Sequence, residues 1–290
     1  MNYCRWASSL GELEATAEEV WGTPSYNPKK HKREPAVFLG LYDLRDYLAL
    51  WNHKGKRWIL WAGSDLRNLS NEFIFNDGKL HFLSKIFRGT PEFFRRFLKD
   101  QCEHWVENEK EAELLYKSTA ARANICPSFL GDIKGYQVSY KYSPFPNVYV
   151  SSGKNRQIEY GFEMIEQIAG LVPFVTFHLY GADWDTKKEN ITVHGRVSKE
   201  QMNEEIRNMQ CGLRLNSFDG FSEITAKSIL WGQYPITNVP HPRIPFFSSL
   251  ETLIRYLQDL RYKHQPNLEV RDWYVKNLNN FPWNENYGTT

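Results

Sequence analysis

The chain has few cysteines and no long apolar run. Cys4, Cys102, Cys126 and Cys211 lie far apart and form no C-x-x-C pair, so neither a zinc site nor a disulfide framework is expected. No apolar run approaches the roughly 18 residues of a membrane-spanning helix. The first twenty residues contain charged side chains and no apolar signal core. We therefore expect a cytoplasmic protein without a transmembrane segment.

The chain also lacks a strong excess of one charge. Its net charge of +2 creates no global field that demands a nucleic-acid partner. Two local basic runs, 29–33 (KKHKR) and 53–57 (HKGKR), are solvated loops, phosphate sites or membrane-surface sites. The aromatic share of 15%, with 10 Trp, indicates either packing or a sugar or base site. The 290 residues suffice for two domains.

The first half contains the pattern of a β-strand, helix and second β-strand. Apolar residues 36–41 and 58–62 predict two buried strands, and a helix capped by Asp43 runs between them to about Asn52. A helix-rich stretch is expected from Thr90 to about Lys117. We place the end of this N-terminal, acceptor-side domain at residue 142, before two prolines.

The second half alternates between strands and helices. The predicted elements are a strand at 148–150, a helix at 157–170, strands at 174–180 and 191–193, a helix capped by Ser198, a strand at Leu213, a helix from Ser222 and a strand at Tyr234. Such alternation predicts a parallel sheet with helices on both faces, whose ligands bind at the carboxyl ends of the strands. We assign 143–250 to this Rossmann-like domain and 251–290 to a helical segment that packs back toward the first domain.

The loop before Ser222 is a candidate phosphate site. Gly220 lets the backbone approach a ligand, and the N–H groups of Phe221, Ser222 and Glu223 lie at a helix N-terminus, which favours anions. Asp219 could accept hydrogen bonds from sugar hydroxyls.

The same residues have a purely structural interpretation. Ser222 would then be only a helix cap, and Glu223 and Lys227, four residues apart, would form a surface ion pair.

A second loop, after the 148–150 strand, belongs to the same edge of the sheet. It contains Ser152, Gly153, Lys154 and Arg156, and its two cations could pair with a diphosphate and stabilise a leaving group. Exposed loop cations without a ligand are the alternative.

From Val148 to Asn238 the order of features resembles the nucleotide-sugar domain of GT-B glycosyltransferases, especially the retaining family 4 type. The matching segments are YVSSGKNR, FHLYGAD, ITVHGRVSKEQM and DGFSEITAKSILWGQYPI. The resemblance implies an α/β fold of two Rossmann-like domains whose parallel sheets face each other across a cleft. It implies catalytic roles for Asp219 and Lys154. The donor-binding residues would be Ser152, Gly153, Arg156, Gly220, Phe221, Ser222, Glu223 and Lys227.

The chain departs from the family at Lys227. The family has a second acid there, and an ammonium cannot accept hydrogen bonds from ribose hydroxyls. Glu223 takes over that task, or the ribose is held differently.

Asp65, at the end of a predicted strand of the first domain, is the third catalytic candidate. It would face the acceptor as a base or orient a hydroxyl. A helix cap is the alternative.

Asp183-Trp184-Asp185 resembles the D-x-D metal motif of GT-A glycosyltransferases, in which two carboxylates hold a divalent cation. Its late position favours the GT-B interpretation, in which the helix dipole and basic side chains replace the metal. We therefore expect no metal and no other cofactor.

The sequence thus predicts a retaining, metal-independent glycosyltransferase that uses a nucleotide sugar such as a UDP- or GDP-sugar. The acceptor stays open among a glycan, a lipid-linked sugar and a modified DNA base. The alternatives are a DNA-base-modifying, phage-type glucosyltransferase and a non-catalytic nucleotide-sugar- or glycan-binding protein of the same fold.

Overall fold

The computed structural model describes residues 1–70, 92–216 and 218–286. It divides the chain into two compact units, one formed by Met1–Gly131 with Asn277–Thr290 and the other by Asp132–Lys276. Each unit has a five-stranded parallel sheet with helices, which confirms the predicted α/β class. None of the helices within the described ranges is long and apolar enough to cross a membrane.

In the first unit the strands follow one another in the sheet in chain order. The strands are β1 (Tyr3–Trp6), β2 (Ala36–Leu39), β3 (Arg57–Leu60), β4 (Glu103–Val106) and β5 (Ala123–Ile125). The helices are α1 (Glu14–Trp21), α2 (Leu44–Asn52), α3 (Ser64–Ser70), α4 (Glu92–Gln101) and α5 (Glu109–Thr119). Asp43 caps α2 as predicted, because its carboxylate accepts from the N–H of Asp46. The predicted helix start at Thr90 and Pro91 lies outside the described residues.

Tryptophans fill one side of the first sheet. Trp283, from the chain's final segment, is fully buried and stacks on Phe281 with ring centroids 4.6 Å apart. It also contacts Trp21, Trp58 and Trp105 edge-on or tilted. Much of the aromatic surplus is therefore packing, and the final segment belongs to the first unit.

In the second unit the strand order in the sheet reverses the chain order on one side. The strands are β6 (Asn147–Ser151), β7 (Thr176–Tyr180), β8 (Ile191–Gly195), β9 (Cys211–Arg214) and β10 (Ile236–Thr237). The helices are α6 (Phe162–Ala169), α7 (Lys199–Ile206), α8 (Glu223–Leu230), α9 (Leu250–Asp259) and α10 (Leu268–Asn277). The sheet order is β10-β9-β6-β7-β8, all parallel.

The point of reversal lies between β6 and β9. From β6 the chain adds β7 and β8 on one side, then returns to add β9 and β10 on the other. From β6 and β9 the chain therefore continues to opposite sides of the sheet, and the loops that follow both strands lie at its carboxyl edge. Open α/β sheets bind their ligands at such a switch point.

Two predicted elements differ from the structure. The helix predicted at 157–170 begins only at Phe162, and Ile158 is 68% exposed. The helix-rich stretch to Lys117 is interrupted by β4, and β1 was not foreseen. The compact units divide at Gly131, and the domain boundary at residue 142 stays a prediction.

Candidate functional site

The loop after β6 is fixed at its base by backbone contacts. The Ser152 N–H donates to the carbonyl of Tyr180 at 3.0 Å, and the Ser152 side chain is buried. Gly181 follows β7 with φ +91°, and a Cβ there would lie 2.0 Å from the Ser152 carbonyl oxygen. Only glycine fits that approach. Gly153 and the cations beyond it thus leave the sheet from a fixed point.

The two cations of this loop are exposed. Lys154 makes no ion pair with any residue the structure describes. Arg156 donates from Nε to the Glu159 carboxylate at 2.7 Å, and its guanidinium lies over the Tyr160 ring at 5.0 Å. Both side chains belong to the loop that leaves β6 at the switch point.

Arg214 joins this loop to the one after β9. Its guanidinium lies 4.4 Å from the centroid of the same Tyr160 ring. Its Nε donates to Oδ2 of Asp219 at 2.6 Å. Tyr160 is therefore flanked by Arg156 and Arg214, so the β6 and β9 loops meet in one cluster. Sequence reasoning missed Arg214, although a charge at the end of the apolar strand CGLR is a signal that could have revealed it.

The acid of the cluster has an altered proton affinity. Burial raises the pKa of Asp219, while the Arg214 guanidinium and its hydrogen bond oppose that rise. Arg156 also lowers the pKa of Asp219, which again places the three groups in one electrostatic unit.

Gly220 and Phe221 form the floor of the β9 loop. Gly220 is buried, and the Phe221 ring stacks on Tyr274 with centroids 5.2 Å apart. His241 packs edge-on to Phe221 at 5.1 Å, and burial lowers the pKa of His241 to about 4. The imidazole is therefore neutral at pH 7. Packing fixes Phe221, so it serves the loop as an anchor.

Ser222 caps α8 as predicted. Its hydroxyl oxygen accepts from the Thr225 N–H at 3.2 Å. The N–H groups of a helix's first turn have no partner within the helix and carry the positive end of its dipole. The N-terminus of α8 follows the β9 loop directly, so this positive end belongs to the switch-point cluster.

Glu223 and Lys227 do form an ion pair, but the lysine is buried. The Lys227 ammonium contacts the Glu223 carboxylate at 2.8 Å and donates to Asn203 Oδ1 at 2.7 Å, with only 5% of its side chain exposed. Lys199 contacts the same oxygen of Glu223 at 2.9 Å. Burial acts to raise the pKa of Glu223, but the two ammonium groups hold it below its usual value. Glu223 itself is half exposed.

Lys227 therefore points away from solvent and links α8 to α7. Burial lowers its pKa, against the attraction of Glu223.

Asp65 lies in the first unit and is fully buried. Its carboxylate accepts from the N–H groups of Leu41 at 2.9 Å, Ala62 at 3.0 Å and Leu66 at 2.7 Å. Burial raises the pKa of Asp65 to about 6, against these three donors. The carboxylate ties the loops after β2 and β3 to the first turn of α3, which is a structural role for a fully buried side chain.

The D-x-D carboxylates are exposed at the end of β7. Asp183 and Asp185 flank Trp184, which packs on Phe162 at 5.8 Å. Across the described ranges, no group of three or more His, Cys, Asp or Glu side chains is arranged to hold a metal ion.

No protein-family model matches the chain, and no curated protein sequence matches it either. The structure is similar to sucrose-phosphate synthase from Thermosynechococcus elongatus, with a TM-score of 0.55 and 10% identity over 86% of this chain and 70% of that one. It is also similar to S. aureus TarM solved with UDP, with a TM-score of 0.50 and 10% identity over 84% of this chain and 51% of that one.

The fold is that of the GT-B glycosyltransferases. The GT-B fold predicted from the sequence is thus confirmed. The chain spans about half the length of TarM.

Proposed function

We propose that the protein is a glycosyltransferase that takes a sugar from a nucleotide-sugar donor bound at the β6/β9 switch point. The supporting observation is that the loops after β6 and β9 bring Arg156 and Arg214 onto one Tyr160 ring, with Asp219 bound to Arg214. The N-terminus of α8 adds a positive dipole end to the same edge.

In this proposal the diphosphate is neutralised by protein groups. Lys154 and Arg156 approach from the β6 loop, and the first turn of α8 approaches from the other side. As the sugar leaves, negative charge develops on the departing phosphate, and fixed cations and dipoles stabilise that charge. The transition state has oxocarbenium character at the sugar. These groups supply the charge that a metal supplies elsewhere, which supports a metal-independent reaction.

Two carboxylates would bind hydroxyls. Asp219 accepts from the donor sugar, and Glu223 accepts from the ribose in place of the acid that Lys227 replaces. Retention of the anomeric configuration follows from the resemblance to glycosyltransferase family 4 and belongs to this proposal. The UDP in the similar TarM structure supports a uridine nucleotide, with a GDP-sugar as the alternative.

The first experiment is a thermal-shift panel of UDP, UDP-glucose, UDP-N-acetylglucosamine and GDP-mannose. We expect one nucleotide and its sugars to raise Tm, because a ligand that binds only the folded state stabilises it. Stabilisation by none of them would contradict the proposal.

Donor hydrolysis with and without EDTA follows. Release of the nucleoside diphosphate that EDTA leaves unchanged is expected. Loss of hydrolysis with EDTA would instead favour a metal held by Asp183 and Asp185. Binding without any turnover would leave a nucleotide-sugar-binding protein of this fold.

A further inference from the structure

The two basic runs singled out in the sequence lie side by side in the first unit. The N–H of Lys54 donates to the Lys32 carbonyl at 2.8 Å, and the N–H of Gly55 donates to the same oxygen at 3.2 Å. A Cβ at Gly55 would lie 2.2 Å from the carbonyl oxygen of Glu34. The loops therefore touch along their backbones and present their side chains together.

Most of the cations on these loops face solvent. The exposed cations that form no ion pair within the described ranges are Lys29, Lys30, Lys32, Arg33 and Lys54. Lys56 differs, because it contacts Glu103 at 3.1 Å. The loops themselves contain a single acid, Glu34. The surface is thus strongly positive although the chain as a whole is nearly neutral.

Apolar side chains continue this surface. Leu48 is 49% exposed, Trp51 is 41% exposed and Phe93 is 58% exposed. Trp51 contacts Phe93 edge-on at 5.8 Å. We call the five exposed cations together with Leu48, Trp51 and Phe93 the basic–aromatic surface.

Side-chain contacts connect its cationic and apolar parts. Trp51 packs on Phe97 with ring centroids 4.6 Å apart, and the Arg57 guanidinium lies over Phe97 at 5.3 Å. Arg57 ends the second basic run and also donates to the Leu50 carbonyl at the end of α2. The apolar side chains therefore begin where the cationic loops end.

The position of the surface separates it from the ligand edge of its sheet. The basic loops precede β2 and β3, and these strands are parallel neighbours. The loops thus lie at the amino ends of the strands, whereas ligands of open α/β sheets bind at the carboxyl ends. Phosphate binding of the kind that the fold provides does not explain these cations.

We propose that the basic–aromatic surface docks the protein on a membrane rich in anionic lipids. Clustered Lys and Arg are attracted to anionic headgroups, and neighbouring apolar side chains add the second, hydrophobic contribution that stable surface binding requires. Aromatic rings beside cations are typical of the membrane interface. The inference does not depend on the proposed function, because it concerns a different surface and is tested without turnover.

A nucleic acid is the rival polyanion. Single-stranded nucleic acids bind through bases that stack on open aromatic faces. Here the Trp51 ring packs on Phe97 and lies stacked with Phe94 at 6.1 Å, so α4 already contacts the ring. A partly covered ring beside exposed aliphatic and aromatic side chains fits insertion among lipid headgroups better than a base-stacking platform.

The test is sedimentation with vesicles of phosphatidylcholine alone or mixed with phosphatidylglycerol, at low and high salt. We expect binding only to the anionic vesicles, weakened by salt. Replacing Lys29, Lys30, Lys32, Arg33 and Lys54 by Gln should weaken binding by more than about tenfold. Phe93→Ser should weaken the binding that remains at high salt.

The matched control replaces five exposed cations of the second unit, Lys134, Lys141, Lys187, Lys188 and Arg255, by Gln. This control should bind the vesicles as the unchanged protein does, and circular dichroism should show both variants folded. If the surface variant and the control variant lose vesicle binding equally, binding depends only on net charge, and the proposal is wrong. The absence of anionic-vesicle binding, or salt-dependent binding to DNA or RNA oligonucleotides alone, would also overturn it.

Discussion

Arg214 donates from Nε to Oδ2 of Asp219 at 2.6 Å, at the point where β9 gives way to the loop before α8. Both side chains are mostly covered, with 11% and 26% of their surfaces exposed. The strand thus fixes the carboxylate that the loop presents, and a change at Arg214 alters the surroundings of Asp219.

Arg214→Met removes the cation that opposes the effect of burial on Asp219. The pKa of Asp219 should then rise further, so ionised Asp219 forms only at higher pH. We expect the acid limb of the donor-hydrolysis pH profile to move up. Arg214→Lys returns a cation, so it should move the acid limb part of the way back toward that of the unchanged protein. An unchanged pH profile in Arg214→Met would exclude a role for ionised Asp219 in turnover.

Glu223 and Lys227 should differ in their effects on stability. Glu223→Gln leaves the buried Lys227 ammonium with Asn203 and without its counter-ion, and should lower the free energy of unfolding by about 1–2 kcal/mol. Lys227→Met places an apolar side chain in the buried site, so the free energy of unfolding should fall less or not at all. Urea unfolding of both variants and of the double variant measures the difference. A larger loss of unfolding free energy for Lys227→Met than for Glu223→Gln would contradict the buried ion pair.

The Glu223 effect should depend on pH. The folded protein holds the pKa of Glu223 below 4.5, so its ion pairs stabilise the fold above the unfolded pKa. That contribution is lost as pH falls through the folded pKa. The stability difference between the unchanged protein and Glu223→Gln should therefore shrink in acid.

Asp65→Asn tests the structural role of the buried Asp65 carboxylate in the first unit. An amide nitrogen cannot accept, so one of the three backbone donors loses its partner, at a cost of about 1–3 kcal/mol. The folded pKa of Asp65, about 6, lies above its ordinary value of 3.8. The unchanged protein should therefore lose stability as pH rises from 3.8 through about 6, and Asp65→Asn should lack this component.

Turnover distinguishes a structural carboxylate from a catalytic base at Asp65. If the role is structural, the activity of Asp65→Asn per folded molecule should stay close to that of the unchanged protein. A fall of several orders of magnitude in folded protein would restore the catalytic role predicted from the sequence.

Gly161→Ala should separate the two loops of the switch point. Gly161 precedes α6 with φ +84°, and a Cβ there would lie 2.5 Å from the Cβ of Leu215, which follows β9. We expect the free energy of unfolding to fall by about 1–3 kcal/mol and nucleotide binding to weaken. Gly170→Ala is the control, because the nearest atom to a Cβ there is the Lys188 ammonium at 3.4 Å. Equal effects of the two changes would contradict the close approach.

Alternating strands and helices were enough to predict the edge on which the candidate site lies. Ser152 and Ser222 each follow a parallel strand, so their loops had to share the carboxyl edge. The sequence could not reveal that β6 and β9 are direct neighbours, because strand order depends on packing between distant segments. Arg214 was missed for the same reason: its partners, Tyr160 and Asp219, meet only in the folded unit.

Elsewhere the local sequence pattern led to wrong predictions. The strand EHWV, Glu103–Val106, lies between two helices and has too few residues to break their apparent periodicity. Ile158 fits a helical face in sequence, yet Gly161 stops the helix from starting before Phe162. Lys227 resembled a surface partner because burial by Asn203 and α7 is a tertiary effect.

The most direct measurement is the calorimetric affinity for UDP of the unchanged protein, Arg156→Ala and Arg207→Ala. The two arginines are matched, since each pairs with a glutamate three residues away and their side chains are 48% and 47% exposed. Only Arg156 lies at the β6/β9 switch point. Loss of a charge-assisted contact to phosphate predicts an affinity about tenfold or more weaker for Arg156→Ala and unchanged for Arg207→Ala. Equal affinity in all three proteins, or no binding of UDP and GDP by any of them, would contradict a nucleotide-sugar site at this switch point.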